Sequence, residues 1–167
     1  KDKLLNSYLH RIIQMLESNT TTIEDITQAE LYYRRAIAMI PQSKLYLNER
    51  ENLQKISSNL LELKYSQTAY ALISDPNQTL ASVNQAVSYL QKASNLNPKN
   101  SILRAETEKI GQYQAGFQYY RQLEWGTAIE QLSKLVDVEE NYANGMAKRL
   151  LYESHVGRGN QYFKVGL

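Results

Sequence analysis

The block Gln28-Ala29-Glu30-Leu31-Tyr32-Tyr33-Arg34-Arg35-Ala36 returns as Gln85-Ala86-Val87-Ser88-Tyr89-Leu90-Gln91-Lys92-Ala93, an offset of 57 residues from position 28 to position 85. The same offset pairs Tyr8 with Tyr65, Thr22 with Thr79, Pro41 with Pro98, Glu49 with Glu106 and Glu51 with Glu108, and sets Leu45 against Ile102. Self-similarity at a fixed spacing constrains a fold more than a single motif does, because each copy must bury its apolar face against its neighbours. An array of repeated structural units is therefore expected.

Within the repeated block the period is helical. Ala29, Tyr32, Tyr33, Ala36, Ile37 and Ile40 recur three and four apart and form one stripe. Seven glycines and three prolines in 167 residues are too few turn signals for a sandwich or barrel of many short strands. Thr22 and Asp25 have the spacing of a capping box, Ser74-Asp75-Pro76-Asn77-Gln78-Thr79 reads as a turn ending in an N-cap, and Pro41 and Pro98 stop one helix and suit the first turn of the next. The pattern predicts an all-α chain of about seven helices near 2–18, 23–40, 43–73, 79–96, 100–124, 126–138 and 142–164. The two longest need neighbours on both sides, which stacking supplies. Ala29, Ala36, Ala86 and Ala93 suit the points of close helix approach.

From Gly116 onward, Gly116, Tyr119, Trp125, Ala128, Ile129 and Leu132 follow the order small residue, aromatic, aromatic at the turn, alanine at the close contact, large apolar residue. In this the chain resembles the tetratricopeptide repeat (TPR) family. Leu123 stands where that family usually has a turn glycine, and Glu140 where proline usually closes the repeat. Gly159-Asn160-Gln161-Tyr162-Phe163-Lys164-Val165-Gly166 resembles the first helix of a further repeat. The resemblance implies an α-solenoid of antiparallel helical hairpins, one domain over 1–167 with units about 2–40, 43–96, 100–138 and a partial unit 142–167, expected to be a piece of a larger protein. It also implies a concave face, lined by the first helix of each hairpin, that binds an extended peptide or a partner helix. With Gly116 in the small-residue position, Tyr113, Phe117, Tyr120 and Arg121 fall on that face; with Gly159 there, Val156, Asn160, Phe163 and Lys164 join them.

Other chemistries find little in the residues. Nineteen basic and 17 acidic side chains are interspersed, so no basic run is available to neutralise many phosphates, and nucleic acid is not expected as a partner. The absence of cysteine removes disulfides and thiolate chemistry while naming no compartment. No segment has the roughly 18 uninterrupted apolar residues of a membrane helix. His10 and His155 lack ligand-spaced partners, and Glu49 with Glu51, like Glu106 with Glu108, lie two apart and diverge on a helix. Gly157-Arg158-Gly159 lacks the strand and the lysine of a phosphate loop, and Asn19-Thr20-Thr21 and Asn77-Gln78-Thr79 match the glycosylation triplet in turns.

No catalytic set, metal or cofactor is therefore expected. The function read from the sequence is non-enzymatic: a protein-interaction or scaffolding module with a peptide or protein partner. The alternative is an architectural spacer, or an array that self-associates through the last helix, left without a partner. An exposed cluster of Tyr113, Phe117, Tyr120 and Arg121 would favour the first reading, and buried aromatics the second.

Overall fold

Local hydrogen bonding fixes where the helices begin. Thr22 Oγ1 accepts from the Asp25 amide at 3.2 Å while Asp25 Oδ2 accepts from the Thr22 amide at 2.8 Å, a reciprocal cap that starts α2 (Ile23–Met39). Thr79 and Ser82 repeat the device at 3.1 and 2.8 Å ahead of α4 (Leu80–Leu96). The two helices are both 17 residues long, and their ends coincide under the 57-residue offset. Asn100 caps α5 (Ser101–Arg121) by accepting from the amides of Ile102 and Leu103.

The computed structural model describes residues 2–18, 20–40 and 47–166. Among them the chain is all-helical, with α1 (Asp2–Leu16), α3 (Leu47–Ser74), α6 (Trp125–Val138) and α7 (Met146–Lys164) completing seven helices. Asn19, Pro41, Leu45 and the expected start of the third helix near 43 lie outside the described residues, as does the Glu49 side chain. No helix among the described residues is long and apolar enough to cross a membrane.

Three expected boundaries shift. Helix α1 ends at Leu16, not near 18. Helix α5 stops at Arg121 because Leu123 takes a left-handed backbone, φ 62°, and Glu124 then opens α6 at Trp125. Helix α7 begins at Met146, not near 142, because Ala143, Asn144 and Gly145 are all left-handed, at φ 54°, 53° and 81°. A right-handed helix cannot include such residues.

The chain divides into two compact units, the first of Lys1–Thr68 with Lys92–Lys99 and the second of Ala69–Gln91 with Asn100–Leu167, so α3 and α4 each contribute to both. In the first unit α1 packs on α2. Ala36, Ile40 and Leu53 form a buried cluster with Tyr8, Leu9, Tyr33 and Ile37 against it. Tyr8 and Tyr65, partners under the 57-residue offset, have different neighbours: Tyr8 lies 5.6 Å from the Tyr32 ring, and Tyr65 is buried beneath the Lys92 ammonium, 5.2 Å from its centroid.

In the second unit α6 packs on both α5 and α7. Gly116 of α5 lies under Leu132 of α6, where a Cβ would fall 2.6 Å from the leucine Cγ. Gly157 of α7 lies under the Trp125 indole, again with 2.6 Å available. Ala128 between them is fully buried, as are Ala29, Ala36, Ala86 and Ala93 at their own helix positions. Small residues let helix axes approach until the larger side chains on either side interlock.

The glycines of α5 predict opposite outcomes for one substitution. Gly116→Ala gains about 1 kcal/mol of helix propensity but forces the buried Leu132 aside at about 1–3 kcal/mol, so a lower midpoint in urea unfolding is expected. Gly111→Ala meets no atom within 4 Å, so its midpoint should rise by the propensity gain. Leu123→Gly removes left-handed strain from a side chain that is 63% exposed, and the same assay should show a gain of about 0.5–1 kcal/mol.

Candidate functional site

The sequence-derived binding residues separate into two groups. Tyr113 and Phe117 are buried, at 0% and 4% exposure, so neither is the exposed groove residue expected, and Phe117 reaches the surface only as part of a cleft wall. The reason is a run of aromatic contacts. Tyr142, from the turn before α7, places its ring 5.8 Å from Tyr113; Phe117 follows at 6.3 Å, Tyr120 at 6.4 Å from Phe117, and Trp125 closes edge-on at 5.8 Å from Tyr120. Such pairs add roughly 0.5–1.5 kcal/mol each beyond area burial, which holds the two inner rings in the core.

Tyr120 is half-buried, and Arg121, Val156, Asn160, Phe163 and Lys164 are exposed. Tyr120 Oη donates to Glu153 at 2.6 Å and Arg149 Nε donates to the other oxygen of that carboxylate at 2.8 Å. These two hydrogen bonds hold the Glu153 carboxyl below its ordinary range, and the bond to Glu153 raises the Tyr120 hydroxyl. The three side chains, with Gln78, Phe117, Arg121 and Leu150, line a cleft of about 140 Å³. Burial pushes the Tyr113 hydroxyl up, the nearby Gln78 amide pulls it slightly the other way, and neither group reaches hydrogen-bond geometry.

On α7, Tyr152, Val156, Gly159 and Phe163 are spaced four, three and four apart and share one face. The three large side chains are 69%, 45% and 86% exposed, and a Cβ at Gly159 would meet nothing within 4 Å. The sequence reading singled out Val156 and Phe163 and missed Tyr152, although its spacing places it on the same stripe. It also missed Gln78, whose amide atoms are buried without a hydrogen-bond partner.

Two further recesses lie beside engaged carboxylates. In the first unit Glu30 accepts from the Tyr65 hydroxyl and from Arg34, 2.5 Å away, with Lys92 at 3.7 Å, beside a recess of about 340 Å³ that Gln54 and Asn95 help line. In the second unit the Tyr70 hydroxyl and Lys109 both donate to Glu106, and Lys109 reaches Glu139 at 2.7 Å, beside a recess of about 380 Å³ lined also by Ser74 and Asn144. Among the described residues no group of three histidine or acidic side chains is placed to hold a metal ion.

Comparison with protein families, with curated proteins and with solved structures finds no match to the chain.

The Glu30 cluster gives a pH prediction. Burial raises the carboxyl, but the bonds from Tyr65 and Arg34 and the charge of Lys92 outweigh it, so Glu30 titrates below its ordinary 4.5 in the folded chain. Its contribution is therefore present above that value and lost as pH falls through the folded one. Tyr65→Phe is expected to cost about 1–2 kcal/mol at pH 7, with the difference from the native chain shrinking in urea unfolding below pH 4.5.

Proposed function

We propose that the chain is a non-catalytic protein-interaction module built of helical hairpins of the TPR kind, stacked as an α-solenoid, which engages a partner protein chiefly through α7. The observation that carries this reading is the exposed stripe of Tyr152, Val156 and Phe163 around Gly159. Three large apolar side chains flanking a residue with no side chain offer ridges and a groove to a partner helix, and contiguous exposed apolar patches are typical of interaction sites. The hairpin reading is supported by Gly116 seated under Leu132 with Ala128 fully buried, and by α2 and α4 sharing length, caps and offset.

The burial of Tyr113 and Phe117 favours the second reading, a spacer or self-associating array, since it removes the aromatic cluster expected of a free groove.

Capture from a lysate of the source cell, comparing the native chain with a Val156→Ser, Phe163→Ser variant of equal helicity, tests the first reading. Proteins retained by the native chain and lost by the variant are the expected result. Capture that the variant leaves unchanged would sink the assignment to α7. Self-association of the native chain in sedimentation, abolished by the variant with no other protein captured, would transfer the function to the second reading.

A further inference from the structure

Resting on the interaction reading above, we infer that the cleft of Gln78, Tyr120, Arg121, Arg149 and Glu153 receives one glutamate side chain of a partner peptide. Its charges decide the sign of the ligand. Glu153 is answered by Arg149 at 2.8 Å and by the Tyr120 hydroxyl at 2.6 Å. Arg121, in the last turn of α5, is exposed and among the described residues takes part in no ion pair. The cleft therefore carries one positive charge in excess, on a group that only donates hydrogen bonds.

Gln78 adds a second donor. Both atoms of its amide are buried, and neither has a partner. A buried polar group left unpaired is costly, so a ligand toward which the Gln78 side chain turns, and which supplies an acceptor to Nε2, recovers part of that cost. A guanidinium and an amide N–H₂ together suit a carboxylate, which offers two oxygens with several lone pairs.

Size and wall chemistry choose the source of that carboxylate. About 140 Å³ accommodates one side chain, and Phe117 and Leu150 give apolar wall for the methylenes of a glutamate. A chain terminus would bring its own side chain and a peptide group into the same space.

The test is a two-dimensional NMR titration of the whole chain with a blocked, C-terminally amidated seven-residue peptide of alanine and glycine around one glutamate. Its glutamine analogue and an uncharged peptide with a free terminal carboxylate serve as comparisons. Movement of the Gln78 side-chain amide resonances by the glutamate peptide is expected, with the analogue at least about fivefold weaker. Arg121→Gln, at an exposed position, should abolish that preference. Gln78→Leu separates a binding role from a structural one, because removing an unpaired buried amide should leave stability unchanged or higher and still weaken the glutamate peptide. Equal binding of the two blocked peptides, tighter binding of the free terminus, or no movement at Gln78 at millimolar peptide would overturn the inference. Each of those results leaves the lysate capture through α7 standing, and a failed capture leaves the glutamate preference intact.

Discussion

The second unit depends on how closely α6 is approached from both sides, and two glycines set that distance. Gly116 admits Leu132 and Gly157 admits Trp125, each at a separation that a single methyl would violate. Because interiors are packed near crystal density, a displaced helix does not settle at a slightly larger spacing but loses dispersion contacts along its length. Trp125 links the two seams: its ring covers Gly157 and also makes a T-shaped contact with Tyr120. The aromatic run back through Phe117 and Tyr113 to Tyr142 is therefore fixed at one end by the position of α7 and at the other by the turn that leads into it.

That turn is expensive in backbone terms. Ala143 and Asn144 hold left-handed conformations that cost a residue with a Cβ roughly 1–2 kcal/mol, and only Asn144 and Gly145 are of types that tolerate them easily. What holds the turn is the burial of Tyr142, 1% exposed, against Tyr113. The Tyr142 hydroxyl is buried without a partner, so the ring's packing outweighs both a strained backbone and an unpaired polar atom. Leu123 has the same left-handed geometry but is exposed, so nothing in its side chain compensates it.

The helices were legible because their signals are local or periodic. The caps at Thr22 and Thr79 involve residues three apart, the apolar stripes repeat every turn, and the bounds of α2 and α4 follow from one offset. The small-residue positions Gly116 and Ala128 were legible for the same reason: a close helix contact admits few residue types. The exposure of the candidate binding residues was legible only in part. A repeat position gives the direction of Tyr113 and Phe117 from their own helix but says nothing of what covers them, and the cover is Tyr142 from an aperiodic turn. Val156 and Phe163 remain exposed because α7 presents that side to no described neighbour. Gln78 carries no sequence signal at all, since an unpaired amide is defined by what fails to reach it.

What separates the cleft from the two other recesses is whether the fold has already answered its charges. Glu30 is satisfied by Tyr65, Arg34 and Lys92, and Glu106 by Tyr70 and Lys109. A carboxylate in such a set has few lone pairs left for a ligand, so these clusters serve cohesion, binding one helix to another as isolated surface pairs cannot. Glu153 belongs with them, engaged by Tyr120 and Arg149. Arg121 and the Gln78 amide do not: one is a charge without an acid, the other a buried donor without an acceptor. A folded chain tolerates few buried polar groups left unpaired. The Gln78 amide is one such group and the exposed Arg121 adds an unanswered charge on the same cleft, which is what sets this cleft apart from the two recesses.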